Sequence, residues 1–391
     1  MNSKDFVFKL FPMLIRYKMN RYFGYQNFNP MTFTFSVTAA CQSRCKTCQI
    51  GHLYMEDPTR AEEDLTIDEI EKIFQSMGTT YFFNISGGEP FIRRDLPEIV
   101  ELACKHLKPS IVHIPTNAVM TDRIEAQCRR ILEIIEKYNP NIPFTVKPSI
   151  DGIGDLHDEI RGMKGNFEKL LRTIERLKIL EQEYPNFHLE LGTVISTYNV
   201  DYLDEIEDFV HSLGIESYRN EVAERRAEFF NLSDEITPPA EVYQELMKNF
   251  AKKVVENISS KKSLAKTTEA LRVVYYDLAG KILEKQRQVI PCYAGVSNVH
   301  INYNGGVWPC CVLGYSKEMG NLRDYNYDFK KLWKSNEAKE IRRFIKAGNC
   351  ACPLANQSYS NILLNTKSLI KATKLMIKFK MKKNTMEVKE I

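Results

Sequence analysis

Three cysteines near the start of the chain have the spacing of metal or cluster ligands. They form the array Cys41-Gln-Ser-Arg-Cys45-Lys-Thr-Cys48, which directly follows a segment rich in β-branched and aromatic residues. Three thiolates on one short loop can hold three irons of a [4Fe-4S] cube and leave the fourth iron open. His52 follows Cys48 by four residues and would complete a Cys3His zinc site instead. The spacing favours the cluster and leaves the zinc site as the alternative.

A second group of cysteines lies in the last quarter of the chain. It consists of Cys292, Cys310, Cys350 and Cys352. A hairpin whose ends meet beside a later cysteine pair could assemble these four thiolates around a second cluster, or around a structural zinc ion. Cys311 could replace Cys310, because neighbouring residues of a strand point in opposite directions. Cys104 and Cys128 lie in helical patterns among apolar residues and are expected to be buried.

The sequence Ser86-Gly87-Gly88-Glu89-Pro90 ends a second apolar segment. Two glycines let the backbone approach a ligand closely, and the carboxylate beside them can accept hydrogen bonds from an ammonium group. A pair of glycines is common in turns, so this motif gains weight only from its position next to the cysteine array.

The elements around these motifs alternate between strands and helices. Strands are predicted at 31–38, 80–86, 110–115, 144–150, 188–196 and 214–219. Helices are predicted near 66–77, 95–107, 121–138, 166–184 and 199–213, with Thr66 and Asp95 as caps. Repeated βα units form a parallel sheet, whose chemistry sits at the C-terminal ends of the strands.

The rest of the chain changes character. Residues 239–286 are predicted to be helical, and VHINYNGGVWPCC reads as a β-hairpin around Gly305-Gly306. We therefore expect four regions: a basic amphipathic segment at 1–30, a partial barrel with a helical extension at 31–287, a small cluster domain at 288–355, and a basic amphipathic helix and tail at 356–391.

The net charge of +4 is unevenly distributed along the 391 residues. Residues 1–30 carry +4 and residues 366–391 carry +6, so the part between them is mildly acidic at −6. This balance argues against a nucleic-acid coat protein. Lysines at 367, 371, 374, 378 and 382 share one helical face, a form that can lie on an anionic membrane surface, or else pack on the protein with its lysines exposed. Pro12 is expected to end or kink a helix in the N-terminal segment.

The cysteines also indicate a reducing compartment. No secretory signal or apolar run of membrane-spanning length is visible, and eight of the ten cysteines are clustered as ligands. The expected location is the cytoplasm, with peripheral attachment to the inner membrane face as an option.

The cysteine array and the glycine motif, each at the end of its strand, resemble the radical S-adenosylmethionine superfamily over residues 30–355. The resemblance implies an α/β fold, a partial (β/α)6 barrel of the TIM type. It also implies that Cys41, Cys45 and Cys48 bind three irons, while S-adenosylmethionine chelates the fourth through its amine and carboxylate. Thr47 departs from the family, in which an aromatic residue usually precedes the third cysteine.

The resemblance further implies contacts to S-adenosylmethionine from the ends of the following strands. The residues concerned are Ser86, Gly87, Gly88, Glu89, Thr116, Asn117, Ser149, Asp151, Arg161, Val194 and Ile195. Gly87, Gly88 and Glu89 would hold the amino group, and Arg161 would bind the carboxylate. A surface ion pair at the start of a helix is the alternative for Arg161.

The later cysteines resemble the auxiliary-cluster region of twitch and SPASM radical enzymes. Cys292 is followed after twelve residues by Gly305, and Gly305 after four by Cys310. A single-cluster twitch arrangement fits better than a full SPASM set, since no cysteine follows Cys352. If four cysteines close this cluster, its expected role is electron transfer.

The implied activity is reductive cleavage of S-adenosylmethionine and removal of hydrogen from an unactivated carbon, giving a net oxidation, a desaturation or a cross-link. A flavodoxin or ferredoxin would supply electrons. The sequence does not distinguish between a peptide, a soluble metabolite and a membrane lipid as the substrate. The non-enzymatic alternative is a zinc-stabilised binding protein. The sequence does not identify the catalytic acid or base. Polar residues after the sixth strand could line the substrate pocket or form a solvated helix face; they are Tyr218, Arg219, Glu221, Glu224, Arg225 and Arg226.

Overall fold

The computed structural model describes residues 11–24, 28–215, 217–256, 258 and 263–387. Its contacts divide into two compact units. The sheet unit comprises residues 29–237 and 297–342, and the helical unit comprises residues 1–28, 238–296 and 343–391. These units are defined by contacts in space, and each one combines separate stretches of the sequence. They do not test the domain limits that the sequence suggests at 30, 287 and 355, which stay predictions.

The sheet unit contains one nine-stranded sheet with the order β6-β5-β4-β3-β2-β1-β7-β8-β9. The strands are β1 Thr32–Ser36, β2 Phe82–Ser86, β3 Ile111–Thr116, β4 Phe144–Pro148, β5 Phe187–Ile195, β6 Ser217–Val222, β7 Asn298–Ile301, β8 Gly306–Trp308 and β9 Gly320–Asn321. Strands β1 to β6 are parallel, as predicted, and form an open rather than a closed barrel. The α/β partial barrel is therefore confirmed.

The hairpin of the cysteine region extends this same sheet. Strand β7 pairs in parallel with β1, and β8 and β9 continue antiparallel to it. The sequence predicts the hairpin, but it does not indicate that β7 would occupy the free edge of β1. Because of this pairing, the strand that leads into the loop after β8 and the strand that leads into the loop after β1 belong to the same sheet.

Helices cover the sheet between its parallel strands. They are α2 Ile50–Glu56, α3 Ile67–Met77, α4 Leu96–Leu102, α5 Thr121–Tyr138, α6 Asp155–Arg161, α7 Asn166–Glu183, α8 Leu203–Ser212 and α11 Phe329–Trp333. Thr66 caps α3 in a capping box with Glu69, as its position predicts. Asp95 occupies the predicted N-cap position of α4, but its side chain makes no capping hydrogen bond, because its carboxylate is paired with Arg93 at 2.7 Å.

The helical unit contains α1 Phe11–Phe23, α9 Ala240–Glu256, α10 Ser263–Lys285, α13 Ala355–Leu364 and α14 Thr366–Glu387, while α12 Asn336–Lys346 has residues in both units. Pro12 is the second residue of the described helix α1, where a missing N–H costs nothing. The residues before Phe11 lie outside the described ranges, so the expected end or kink at Pro12 stays a prediction. No helix within the described ranges has the length and apolar character to cross a membrane.

Helix α14 packs within the helical unit. Phe379 is fully buried and clusters with Ile258 and Ala270. Lys371 pairs with Asp277 at 2.8 Å, whereas Ile370 and Ile377 remain about half exposed. Part of the apolar face is therefore used inside the protein, and this arrangement favours packing over membrane attachment. The side chains of 380–387 lie outside the described part of the chain.

Candidate functional site

The loop that carries Cys41, Cys45 and Cys48 follows β1 and is held by hydrogen bonds to α6 and within the loop itself. The N–H of Lys46 donates to the carbonyl of Ile160 at 2.9 Å, and the N–H of Cys48 donates to that of Cys45 at 3.1 Å. The three thiols lie close enough together for their charges to act on one another.

Two glycines that the sequence analysis missed allow this loop to close. A Cβ on Gly51 would lie 1.7 Å from the carbonyl oxygen of Ser43, and a Cβ on Gly162 would lie 1.9 Å from that of Arg44. Gly162 also has φ of +63°, a conformation that favours glycine. Neither residue belongs to the cysteine array, and no local pattern marks either of them as part of the site.

Burial dominates the electrostatics of the three thiols. It raises the pKa of Cys41 to about 12, with the charge of Cys45 adding to the effect. It also raises the pKa of Cys45 and Cys48. Arg161 opposes the shift at Cys41 and Cys45, so its guanidinium faces these sulfurs. Three buried thiolates need more positive charge than one arginine supplies, and the irons of a cluster fit this requirement.

The spacing of the thiols also bears on the zinc alternative. Donors of a tetrahedral zinc lie roughly 3.3 to 3.8 Å apart. Among the described residues, the groups of three or more histidine, cysteine or acidic ligand atoms within 4.8 Å of one another do not include Cys41, Cys45 and Cys48. A wider spacing suits a cubane cluster, whose ligands bind separate irons.

The glycine motif lies directly against the cysteine loop. The N–H of Gly88 donates to the carbonyl of Thr38 at 2.9 Å, and the N–H of Glu89 donates to that of Ala40 at 2.8 Å. A Cβ on Gly88 would lie 2.1 Å from the Ala40 oxygen and 2.9 Å from Cβ of Cys41. The motif thus has no room for a side chain, and the backbone beside Ser86, Gly87 and Gly88 stays accessible to a ligand.

Glu89 is buried and bound by three protein donors. Its Oε1 accepts from Oγ1 of Thr116 at 2.9 Å and from the N–H of Phe91 at 3.2 Å, and its Oε2 accepts from the N–H of Asn117 at 2.7 Å. Burial raises the pKa of Glu89 to about 7, although these hydrogen bonds oppose the shift. A carboxylate has about four acceptor positions, so room remains for one further donor such as an ammonium group.

Asp151 joins the ends of β4 and β5. Its Oδ1 accepts from the N–H of Val194 at 2.9 Å, and its Oδ2 accepts from Nη1 of Arg161 at 3.1 Å. Arg161 is mostly buried at the last residue of α6, so it forms neither a surface pair nor a helix start. Nothing in the described structure accepts from its Nε, which is available for a carboxylate.

The remaining predicted contacts have simpler positions. Ser149 continues β4 by donating its N–H to the carbonyl of Thr116 at 3.0 Å, and Ile195 is fully buried in β5. Asn117 donates through Nδ2 to Oγ of Ser43 at 2.8 Å and thereby ties the third strand end to the cysteine loop. The structure therefore brings the predicted residues to one edge of the sheet, although their contacts with S-adenosylmethionine stay predictions.

A small cavity opens beside the glycine motif. It is lined by Ser36, Thr38, Ala39, Ile50, Leu53, Arg60, Gly87, Gly88, Glu228, Phe230, Asn302, Tyr303 and Tyr315. Aromatic rings and a few polar groups converge here from β1, β2 and the cysteine hairpin region. Such a mixture is typical of a site for a small molecule or for part of a larger one.

Two of the polar residues that the sequence analysis placed after the sixth strand form partly buried ion pairs. Arg219 lies 2.6 Å from Glu190, and Lys147 lies 3.2 Å from Glu221. Burial raises the pKa of Glu190, but the charges of Arg219 and Lys147 outweigh it and bring the pKa to about 2. Because Arg219 and Glu221 belong to β6, the alternative of a solvated helix face was wrong.

The second cysteine group is divided between the two units. In the helical unit, the carbonyl of Cys292 accepts from Arg21, and Nε2 of Gln288 donates to the carbonyl of Cys352 at 3.1 Å. Burial raises the pKa of Cys350 to about 11, and the charge of Cys292 adds to it. Cys310 and Cys311 belong to the sheet unit. Cys104 and Cys128 are buried, as expected.

Family comparisons agree with both cysteine regions. Residues 35–210 match the sequence model of the radical SAM superfamily, and residues 292–353 match that of SPASM, an iron–sulfur cluster-binding domain. The second match extends from Cys292 past Cys352.

Curated relatives are similar at low identity. The subtilosin biosynthesis protein AlbA of Bacillus subtilis is 22% identical over 78% of this chain and 62% of its own length. The AdoMet-dependent heme synthase of Oleidesulfovibrio alaskensis is 25% identical over 78% of this chain and 74% of its own. The mycofactocin maturase MftC of Mycolicibacterium smegmatis is 30% identical over 45% and 40%. The chain thus spans less than two thirds of AlbA and of MftC.

Solved structures share the fold. Native anSMEcpe with bound AdoMet has a TM-score of 0.58 at 17% identity, covering 90% of this chain and 96% of its own. Streptococcus suis SuiB bound to the precursor peptide SuiA has a TM-score of 0.56 at 16% identity, covering 84% and 70%.

Proposed function

The chain is a radical S-adenosylmethionine protein with a SPASM-type iron–sulfur domain, and from this membership we propose that it removes hydrogen from an unactivated C–H bond of its substrate. One observation carries the proposal. The thiols of Cys41, Cys45 and Cys48 share one edge of the sheet with the tight backbone of Gly87 and Gly88, and the cavity opens beside them.

Each residue has a stated task in this proposal. Cys41, Cys45 and Cys48 hold the first cluster, and the backbone at Gly87–Gly88 binds S-adenosylmethionine together with Arg161. When bound, the cluster and S-adenosylmethionine supply a carbon-centred radical able to remove a hydrogen atom from an unactivated carbon. The protein binds, orients and keeps water away, and the buried pair of Asp151 and Arg161 fixes the guanidinium for this purpose.

The second cysteine group supports a net oxidation. We assign Cys292, Cys310, Cys350 and Cys352 to a second [4Fe-4S] cluster, with electrons entering the protein from a flavodoxin or ferredoxin. Four cysteine ligands leave no iron open to substrate, so a cluster held in this way is suited to electron transfer. Oxidation, desaturation or cross-linking of the substrate would follow.

A peptide is the substrate class that we favour. AlbA and MftC are named for the biosynthesis of a bacteriocin and the maturation of mycofactocin, and SuiB has been solved with a precursor peptide. A membrane lipid lacks comparable support, since Phe379 and Ala372 of α14 are buried inside the helical unit.

The core of the proposal is tested by anaerobic reconstitution with iron, sulfide, S-adenosylmethionine and a strong reductant. We expect 5′-deoxyadenosine from the wild type and none from a variant with alanine at Cys41, Cys45 and Cys48. The matched control is Cys104→Ala, which removes a buried thiol outside both groups. Equal 5′-deoxyadenosine formation by the wild type and the triple variant would refute the assignment.

The substrate class is tested separately. The reconstituted enzyme is incubated with the peptide fraction and with the low-mass fraction of an extract of the source cells. Mass spectrometry then searches each fraction for species that have lost hydrogen atoms in step with 5′-deoxyadenosine formation. Products confined to the low-mass fraction would contradict the peptide assignment and leave the radical chemistry intact.

A further inference from the structure

A second set of metal-ligand side chains lies in the sheet unit, apart from the three cysteines of the first loop. Glu228 follows β6, His300 lies in β7, and Cys311 follows β8. One ligand atom from each of these residues lies within 4.8 Å of the other two. Within the described part of the chain, no other group of three histidine, cysteine or acidic residues meets this spacing.

The distances are close to those of a mononuclear site. Oε1 of Glu228 lies 3.6 Å from Nε2 of His300. Donors around a tetrahedral zinc lie roughly 3.3 to 3.8 Å apart, since zinc binds nitrogen and oxygen at about 2.0 Å and sulfur at about 2.3 Å. Small side-chain rotations would bring all three donors to bonding distance, because the backbone already places them together.

The ring of His300 is held in place by its packing. It is fully buried and packs against Trp308, with the two ring centroids 4.9 Å apart. Oγ of Ser36 lies 2.7 Å from Nε2, on which Glu228 also converges. A neutral imidazole with its proton on Nδ1 presents the Nε2 lone pair to these groups, and Nδ1 itself is buried with no hydrogen-bond partner in the described structure.

The charges of the region leave a place for a divalent cation. Lys147 pairs with Glu221 at 3.2 Å, and Arg226 pairs with Glu224 at 2.9 Å. Arg226 also acts on Glu228 and on Cys311 and lowers the pKa of both, so this one guanidinium serves three acidic groups. Glu224, Glu228 and the Cys311 thiolate would carry three negative charges against one positive charge on Arg226, and the difference of two matches one zinc ion beside a neutral histidine.

We propose that Glu228, His300 and Cys311 bind one zinc ion. Nitrogen, oxygen and sulfur donors together suit zinc, and three protein ligands with a fourth position open are typical of zinc sites that bind an exchangeable molecule. Glu228 and Ser36 both line the small cavity beside the glycine motif, so the open position is reached from the cavity. Its ligand is water or an oxygen, nitrogen or sulfur atom of a molecule bound there. The site exists whether or not the enzyme acts as proposed above.

The test counts metals in the full-length protein with its clusters reconstituted. One equivalent of Zn²⁺ is added under anaerobic conditions, the protein is desalted, and zinc, iron and sulfide are measured per chain. We expect one zinc in addition to about eight irons if both clusters are cubanes. Wild-type protein that retains no zinc under these conditions would overturn the proposal.

Single variants identify the ligands. Glu228→Gln, His300→Gln and Cys311→Ser should each weaken zinc binding at least about tenfold in competition with a chromophoric chelator, with iron and sulfide unchanged. Cys104→Ser is the matched control and should retain zinc. Unchanged iron and circular dichroism show that a variant is folded. If zinc persists in all three variants, or if Cys311→Ser loses one cluster's worth of iron, the assignment is wrong, since the latter would make Cys311 a ligand of the auxiliary cluster.

Discussion

Nη1 of Arg161 donates to Oδ2 of Asp151 at 3.1 Å, so the last residue of one short helix is fixed to the end of β4. The carboxylate is buried, and its other oxygen accepts from the N–H of Val194. The same guanidinium faces the sulfurs of Cys41 and Cys45. One ion pair therefore couples two strand ends to the cysteine loop.

Replacing Asp151 by Asn should destabilise the protein markedly. The change leaves the mostly buried Arg161 without its counter-charge, and breaking a buried pair in this way costs about 3 kcal/mol in the free energy of unfolding. Urea unfolding followed by circular dichroism measures the loss. The control is Glu159→Gln, which removes the exposed partner of Lys46 and should cost less than about 1 kcal/mol. Equal losses in the two variants would contradict the coupling role of Asp151.

Replacing Gly88 by Ala should disrupt the first cluster. The new Cβ would meet backbone of Ala40 and the side chain of Cys41, neither of which can yield without moving the cysteine loop. We expect the iron content to fall by about one cluster and S-adenosylmethionine binding to weaken at least about tenfold in equilibrium dialysis. Gly280→Ala is the control, because its Cβ would meet only the flexible side chain of Gln244. Normal iron content in Gly88→Ala would show that the contact is not needed.

Glu89 should make stability depend on pH in the protein without S-adenosylmethionine. Its pKa is raised from 4.5 to about 7, so the folded state holds the proton more tightly than the unfolded state does. The stabilising contribution is present below pH 4.5 and is lost as pH rises through 7. Relative to Glu89→Gln, the wild type should therefore lose roughly 2 to 3 kcal/mol between pH 5 and pH 8.

This comparison uses urea unfolding of both proteins at each pH. Other ionisable groups cancel in the difference between them. The lost acceptor in Glu89→Gln adds an offset that does not depend on pH. A flat difference between pH 5 and pH 8 would mean that Glu89 is ionised throughout this range.

Phe379→Ala should destabilise the helical unit. Its ring is fully buried against Ile258 and Ala270, and removing such a ring costs about 3 to 5 kcal/mol. Ile377→Ala, in the same helix but about half exposed, should change stability by less than about 1 kcal/mol. Thermal unfolding compares the two variants. If Ile377→Ala weakens binding to anionic vesicles while stability stays unchanged, the membrane hypothesis would be supported.

Much of the parallel sheet was predictable, because apolar strands and amphipathic helices alternate with clear periodicity. The cysteine array and the glycine motif could also be identified, since each stands as a compact local pattern at the end of a strand. Thr66 was read correctly because a capping box involves residues only three apart. The side-chain cap expected at Asp95 does not form, because a neighbouring arginine binds the carboxylate that would accept the capping hydrogen bond.

The rest depends on distances that a linear sequence does not contain. Gly51 and Gly162 are needed only because Ser43 and Arg44 pass against them, which no local pattern reveals. Arg161 is ten residues from Asp151, yet its burial results from the packing of the cysteine loop. Glu228, His300 and Cys311 are drawn together from three segments by the unpredicted pairing of β7 with β1.

That pairing has a consequence for how the protein can change over time. Side chains alternate along a strand, so a slip of β7 by one residue against β1 would turn every side chain of β7 to the opposite face. His300 would exchange places with Val299 or Ile301, and the segment bearing Cys310 and Cys311 would shift with it. Insertions or deletions of a single residue inside β7 should therefore be rare among functional variants, whereas changes of length in the loops that flank it can be absorbed.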